Sequence, residues 1–265
     1  MNQKHGLARP ALPKYVKLVT TVASLAILAS AQAQLVFDNM SVYESGSANG
    51  QVLVTSSTPN TWMGGAYNLA AGTTAITGFD IYPANLSGAN FNALKITIDV
   101  WGSVNTSGTV NSTTPAFGNL LASYTFVSTG TFNTGFFFPF EGSPVGVNPG
   151  VTLATPLVIP STQVGLSFNY MGSTDGGVTF FSTNSLTSLI SGGTSPVTAG
   201  SEVFNGYYRN AAGENDGNFT SSLRSLSGVN NQSLAVRIYS VPEPSTVAFL
   251  ALSSTALLIF RRRRL

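Results

Sequence analysis

Acid–base and nucleophilic chemistry near neutral pH draws first on histidine and cysteine. This chain has a single histidine, His5, and no cysteine. His5 sits in a basic N-terminal stretch, so the chain beyond residue 33 lacks a Ser-His-Asp triad, a cysteine nucleophile and any His- or Cys-ligated metal site. Carboxylates remain, and two acids flanking a cleft are enough for glycoside hydrolysis. Nine lie between Gln34 and Val241, but no spacing pairs any two of them. Asp80 and Asp99 fall on the polar side of alternating segments, where a solvated carboxylate is the expectation. The phosphate-cradling patterns G-x-x-x-x-G-K-[ST] and strand-following G-x-G-x-x-G are both missing. No catalytic residue is therefore assigned, and the chain is not expected to be an enzyme.

Two other residue sets bear on ligands. Glu214-Asn215-Asp216-Gly217-Asn218 clusters oxygen donors around a glycine, as calcium loops do, with Glu214 and Asp216 as the weak calcium candidates. It lacks the spacing of an EF-hand and its closing glutamate. Asp-Gly is equally a turn former, the same reading that applies to Asp175-Gly176-Gly177. No cofactor is expected unless calcium. Trp62 and Trp101 are the candidate glycan contacts, with Tyr207 and Tyr208 as further aromatics able to stack on sugar rings. Trp101 lies on the polar side of its segment, a position open to solvent unless something packs over it. Packing at a core edge or under a loop is the favoured role for all four.

The elements that must position these residues are strands. Leu94, Ile96, Ile98 and Val100 alternate with Lys95, Thr97 and Asp99; Val164, Leu166, Phe168 and Tyr170 repeat the pattern, as do Leu234, Val236 and Ile238. Further strands are expected at Gln51–Thr55, Ala75–Tyr82, Leu121–Val127, Phe136–Phe140, Leu157–Ile159, Val178–Ser182 and Val203–Tyr208. Phe136-Phe137-Phe138 breaks the alternation and reads as a doubly buried strand or the start of a bend. Gly, Pro, Asn and Ser clusters separate the runs. The expected fold is all-β, a two-sheet sandwich or jelly-roll-like body over residues 34–240, with a single domain favoured. A boundary within Ser103–Pro115 is the alternative division.

Charge narrows the partners. Lys95, Arg209, Arg224 and Arg237 are the only bases between Gln34 and Val241, against nine acids, so this region carries a formal −5 while the whole chain is +2. A nucleic acid partner would need a basic stripe, and there is none. Disorder goes with low hydrophobicity and high net charge, and the region has neither. With no cysteine there are no disulfides, so stability rests on the core and the sheet ladders.

The basic residues belong to the two ends. Lys4, His5, Arg9, Lys14 and Lys17 precede an apolar run, Leu18 to Ala29, and then Ala31-Gln32-Ala33. That is the order of a secretory signal peptide, residues 1–33, with cleavage expected after Ala33 by signal peptidase at the Ala31, Ala33 site. At the other end, residues 241–265, Val241-Pro242-Glu243-Pro244-Ser245-Thr246 leads into an apolar run ending at Phe260 and then Arg261, Arg262, Arg263 and Arg264. The run from Thr246 spans about 22 Å as a helix, short against a hydrocarbon core of about 30 Å. A short transmembrane helix is expected, with the arginines as a cytoplasmic stop and the body on the far side. Pro242 and Pro244 keep the preceding strip extended and unpaired, a form a processing enzyme can bind without unfolding anything.

The tail resembles the PEP-CTERM sorting signal of Gram-negative bacteria, the substrate of exosortase membrane enzymes. Pro242-Glu243-Pro244 matches the signature, Val247 to Phe260 the transmembrane part, and Arg261 to Arg264 the basic end. The resemblance covers about the last tenth of the chain. It implies processing by an exosortase-type enzyme after transient anchoring in the inner membrane. It also implies delivery to the cell surface or exopolysaccharide matrix, as in a biofilm. The expected function is a non-enzymatic structural or adhesive sandwich. The alternatives are a carbohydrate-binding module with one glycan site and a glycan-cleaving enzyme built on paired carboxylates.

Overall fold

Alternation along the sequence becomes layering in space. In a computed structural model of the chain, Leu94, Ile96, Ile98 and Val100 are all fully buried, while Lys95 and Thr97 on the opposite side of the same strand are partly exposed. The structure describes residues 33–40, 51–52, 62–105, 115–182, 186–191, 199–203, 206–210, 217–219, 223–224 and 233–241. Ala33–Val241 forms one compact unit. The expected signal peptide core, transmembrane helix and Arg261–Arg264 stop lie outside the described residues. Among the described residues there is no helix, and none long and apolar enough to cross a membrane.

In chain order the strands begin with β1 (Gln34–Asp38), β2 (Gln51–Val52), β3 (Trp62–Asn68), β4 (Ala75–Ile81), β5 (Pro83–Asn85) and β6 (Phe91–Val104). They continue with β7 (Phe117–Phe132), β8 (Phe136–Phe137), β9 (Val151–Val158), β10 (Gln163–Ser173), β11 (Phe181–Ser182) and β12 (Leu186–Ser191). The last are β13 (Ser201–Glu202), β14 (Tyr207–Arg209), β15 (Leu223–Arg224), β16 (Ser233–Leu234) and β17 (Val236–Ser240). All pairings between them are antiparallel. One layer is a four-stranded sheet in the order β1-β17-β4-β9. The other is an eight-stranded sheet whose path runs β15-β14-β3-β10-β6-β7, with β11 on β10 and β13 on β3.

The inner faces of the two sheets share one core. Ile76, Phe79, Ile81, Val236 and Ile238 from the first pack with Ile96, Ile98, Val164, Leu166 and Phe168 from the second. Fully burying side chains of this size stabilises by roughly 1.5–3 kcal/mol each. No disulfide is needed to hold the layers together.

A third, five-stranded sheet (β16-β12-β5-β8, with β2 on β12) grows out of the first layer. β4 and β17 pair as far as Val236↔Ile81 and then diverge. Leu189 enters the fork, donating its N–H to the Tyr82 carbonyl at 2.8 Å and accepting from the Ala235 N–H at 2.9 Å. Backbone groups that the separating strands would leave unpaired are thereby satisfied.

The Ser103–Pro115 region does not divide the body: β6 and β7 pair on both sides of it, from Phe91↔Phe132 to Val104↔Phe117. Of the two readings of Phe136-Phe137-Phe138, the doubly buried strand is corrected and the chain leaves the strand after Phe137. Phe136 and Phe137 are 63% and 37% exposed, because β8 is a two-residue strand at the rim, and only Phe138 turns in, meeting Phe132 edge-on at 5.0 Å. Val178 is likewise 84% exposed in a turn, and the strand expected there is only Phe181–Ser182.

Candidate functional site

β17 is the strand that leads into the tail, and its surroundings form the most developed polar site of the described residues. The register places Arg237 directly opposite Asp38 on β1 and opposite Asp80 on β4, a three-strand row on the outward face of the four-stranded sheet. That face is covered by the segment from Phe140 to Gly150, pinned by bridges Ile81↔Phe140 and Glu141↔Pro149. Arg237 and Asp80 are 1% and 0% exposed. The expectation that Asp80 is solvated is therefore corrected: its face is polar, but a loop closes over it.

Charge pairing repays that burial. Arg237 donates through Nε to Asp38 at 3.2 Å, and through one terminal nitrogen to Glu141 at 2.9 Å and Tyr82 at 2.7 Å, with Asp80 at 3.5 Å. Tyr82 donates to Glu141 at 2.5 Å and Tyr239 to Asp80 at 2.6 Å. The Gly150 N–H binds the other Asp80 oxygen at 2.7 Å, and the Met40 N–H binds Asp38 at 2.9 Å. Burial is the largest influence on Asp80 and raises its pKa. The Tyr239 hydroxyl, the Gly150 N–H and Arg237 pull it back, and neighbouring Glu141 adds to the rise. Burial together with these carboxylates pushes Tyr82 and Tyr239 upward, so both stay protonated donors. Three acids share one guanidinium, and only Glu141, 18% exposed at its side chain, reaches solvent appreciably. Its chemical capacity is to hold β1, β4 and β17 in register. A buried pair of this kind specifies an arrangement more than it adds stability, whereas removing one partner is costly.

The outward face of the eight-stranded sheet carries a second carboxylate. Ser167, Asp99 and Ser123 stand in one cross-strand row of β10, β6 and β7. Asp99 is 8% exposed rather than solvated as expected, since Gly217 sits over it: a Cβ there would lie 3.0 Å from its Oδ2 and 2.5 Å from Ser167. Burial raises the Asp99 pKa while the Ser123 hydroxyl lowers it, and Oδ1 has no hydrogen-bond partner.

Both tryptophans are on this face. Trp101 lies on the outer face, as the alternation places it, but is only 9% exposed, in the packed role favoured for it. Its indole N–H donates to Ser167 at 2.8 Å, and its ring joins a small outer cluster with Phe117, Tyr208 and Phe219. Trp62 packs at the rim of the same cluster and stays partly exposed. Tyr207 is buried in the main core and Tyr208 in the outer cluster.

Asp175 accepts from the Ser173 hydroxyl and from the N–H groups of Val178 and Thr179, which holds its pKa down to about 2. Gly176 and Gly177 follow with φ of +79° and +91°. This is a self-satisfied turn, with the carboxylate occupied by its own backbone. Glu214 and Asp216 lie outside the described residues. Among the described residues no group of three acids is placed to hold a metal ion.

Between the free edges of β7 and β9 runs an open groove of about 800 Å³. Tyr124, Phe126, Phe140 and Leu153 form its floor, and Ser123, Thr125, Ser128 and Thr152 are among its hydroxyls. No carboxylate or basic side chain lines it.

At the end of β17, Ser240 stands opposite Gln34, so the expected N-terminus left by cleavage after Ala33 and the start of the tail emerge side by side. Val241, the first residue of the expected sorting motif, is 46% exposed; Pro242, Glu243 and Pro244 lie outside the described residues. No curated protein and no solved structure matches the chain. Residues 240–264 match the family model described as the PEP-CTERM protein-sorting motif, so the strip beginning at the end of β17 is a sorting signal that implies export and processing by an exosortase.

Proposed function

We propose that the protein is a non-enzymatic structural or adhesive module of the cell surface or exopolysaccharide matrix, exported by signal peptidase-dependent secretion and released from transient inner-membrane anchoring by an exosortase. The observation that carries this reading is the match at residues 240–264, joined without a spacer to a strand locked inside the body. The chemistry of the body supports it. Asp38, Asp80 and Glu141 are engaged by Arg237 and two tyrosines, and Asp175 is taken up by a turn. The exposed side chains of β7 are hydroxyls, the Asn119 amide and apolar groups, suited to wet contact with polysaccharide or protein.

A carbohydrate-binding module is the second reading. It is favoured by the uncharged, hydroxyl-rimmed groove with aromatics on its floor and by the partly exposed Trp62. Glycan cleavage by paired carboxylates has no such support. Calcium at Glu214 and Asp216 is retained only as a proposal for loop stability.

Replacing Pro242-Glu243-Pro244 by three alanines in the native host tests the main reading. The altered protein should accumulate in the inner-membrane fraction with its arginine tail intact. Normal release of that variant to the surface or medium would overturn it.

A further inference from the structure

Among the described residues the two large layers have four path ends, and three are guarded in ways that block pairing with another chain. β15 is two residues long. β1 is five residues long, and loop contacts engage its outer side, with Asp38 N–H bonded to Ala199 and Ala70 N–H to Val36. β9 contains Pro156 and slips register against β4 between Ile76 and Gly78. β7 is held less closely: Phe117 N–H bonds to Asn218 and the register against β6 shifts beside Leu121 and between Thr129 and Phe132, but Ala122–Thr129 runs in unbroken register with no loop contact on its outer side. It runs 16 residues, Phe117–Phe132, with no charge and no proline, paired only to β6. Ser123, Thr125, Val127 and Thr129 are exposed on one face; Tyr124 and Phe126 point to the core side and stay partly open in the groove.

We infer that β7 is a pairing edge for a second copy of this chain, joined antiparallel to make one continuous sheet across two bodies. Two observations select a second copy. The body carries a formal −5, so contact between copies is opposed by repulsion almost everywhere, whereas the β7 strip is uncharged. The length also suffices. Sixteen residues extend roughly 54 Å at about 3.4 Å per residue, and an edge about 10 Å thick then buries on the order of 1,000 Å² over both partners, the threshold for a specific interface. A two-fold axis through Thr125 pairs Ser123 with Val127, and Tyr124 of each copy with Phe126 of the other. Such aromatic and β-branched cross-strand pairs stabilise antiparallel sheets. The interface is isologous, so it closes at a dimer.

This inference rests on the structural reading above, and pairing is measured on purified protein while delivery is measured in the host, so either can fail separately. The native chain is free of cysteine, which makes single-cysteine variants clean probes. Protein purified from its host should show a concentration-dependent dimer in sedimentation velocity. Under mild oxidation Thr125→Cys should form disulfide-linked dimer at least tenfold faster than Val178→Cys, an exposed control away from β7, because paired strands hold opposing Cα atoms within disulfide reach. Thr125→Lys should return the protein to monomer with its circular dichroism unchanged. A wild-type monomer at all concentrations, or equal cross-linking of the two cysteine variants, would overturn the inference. So would a dimer that survives Thr125→Lys. A monomer whose tyrosine fluorescence responds saturably to cellohexaose, lost in Tyr124→Ala, would also overturn it by giving the groove to a glycan.

Discussion

The two sheets bury carboxylates on their outward faces in opposite ways. On the four-stranded sheet, Asp80 sits in a row with Arg237 and Asp38, and both of its oxygens are bonded. On the eight-stranded sheet, Asp99 sits between two serines, and one of its oxygens has no partner. The first row crosses the strand that leads to the sorting signal, and the second lies beneath a small aromatic cluster. A desolvated carboxylate is tolerable where a cation shares its row and a strain where only hydroxyls do. The guanidinium row thus braces β17, the strand that leads into the sorting signal, while the edge at β7 is left open.

Breaking the guanidinium row is the largest perturbation. Arg237→Met leaves Asp38, Asp80 and Glu141 without their shared cation and should cost about 3–5 kcal/mol, read as a lower urea midpoint. Tyr239→Phe removes one donor from Asp80 and should cost about 1–3 kcal/mol in the same assay.

The contrast between the rows is sharpened by pH. Burial raises the folded pKa of Asp99 above its ordinary value, so the folded state holds its proton more tightly than the unfolded state does. Its contribution to stability then falls as pH rises from about 3.8 through the raised value and is flat above it. Asp99→Asn should therefore gain stability relative to wild type, and the gain should be greater at pH 7 than at pH 4; an equal effect at both would mean that Asp99 titrates as a solvated acid. Asp175 has the opposite sign, its stabilisation being present above its unfolded value and lost as pH falls toward about 2. The smallest effect is expected at the open edge: at concentrations low enough for the wild type to be monomeric, Thr125→Lys should change unfolding stability by no more than about 0.5 kcal/mol.

The sequence made visible what depends on neighbours along the chain. Alternation marked β6 and β10, whose apolar residues need only a period of two to find the core, and the tail motif was legible as contiguous residues. Less visible was whatever depends on covering segments. Asp80 and Asp99 were placed on the polar face correctly but in water wrongly, since Phe140–Gly150 and Gly217 close over them from distant positions. The bond joining Arg237 to Asp38 spans 199 residues and leaves no local trace. Trp101 followed the alternation to the outer face, but Phe117 and Phe219 build a second cluster there. β3 was missed because Gly64-Gly65-Ala66 has no strand propensity of its own. Gly64 is needed there for contact, since a Cβ would lie 2.5 Å from the Phe219 ring. β12 was missed because its pairing with both β5 and β16 depends on a fork between other strands.

The central claim is that the body ends at a strand fixed by Arg237 and that the chain beyond it is a processed sorting signal. Mass spectrometry of the C-terminal peptide from the native host tests it most directly. The account predicts an end at or near Pro242–Pro244, with Arg261–Arg264 missing and β17 whole. A C-terminal peptide ending in Leu265 would contradict it and make the protein a permanently tethered inner-membrane domain.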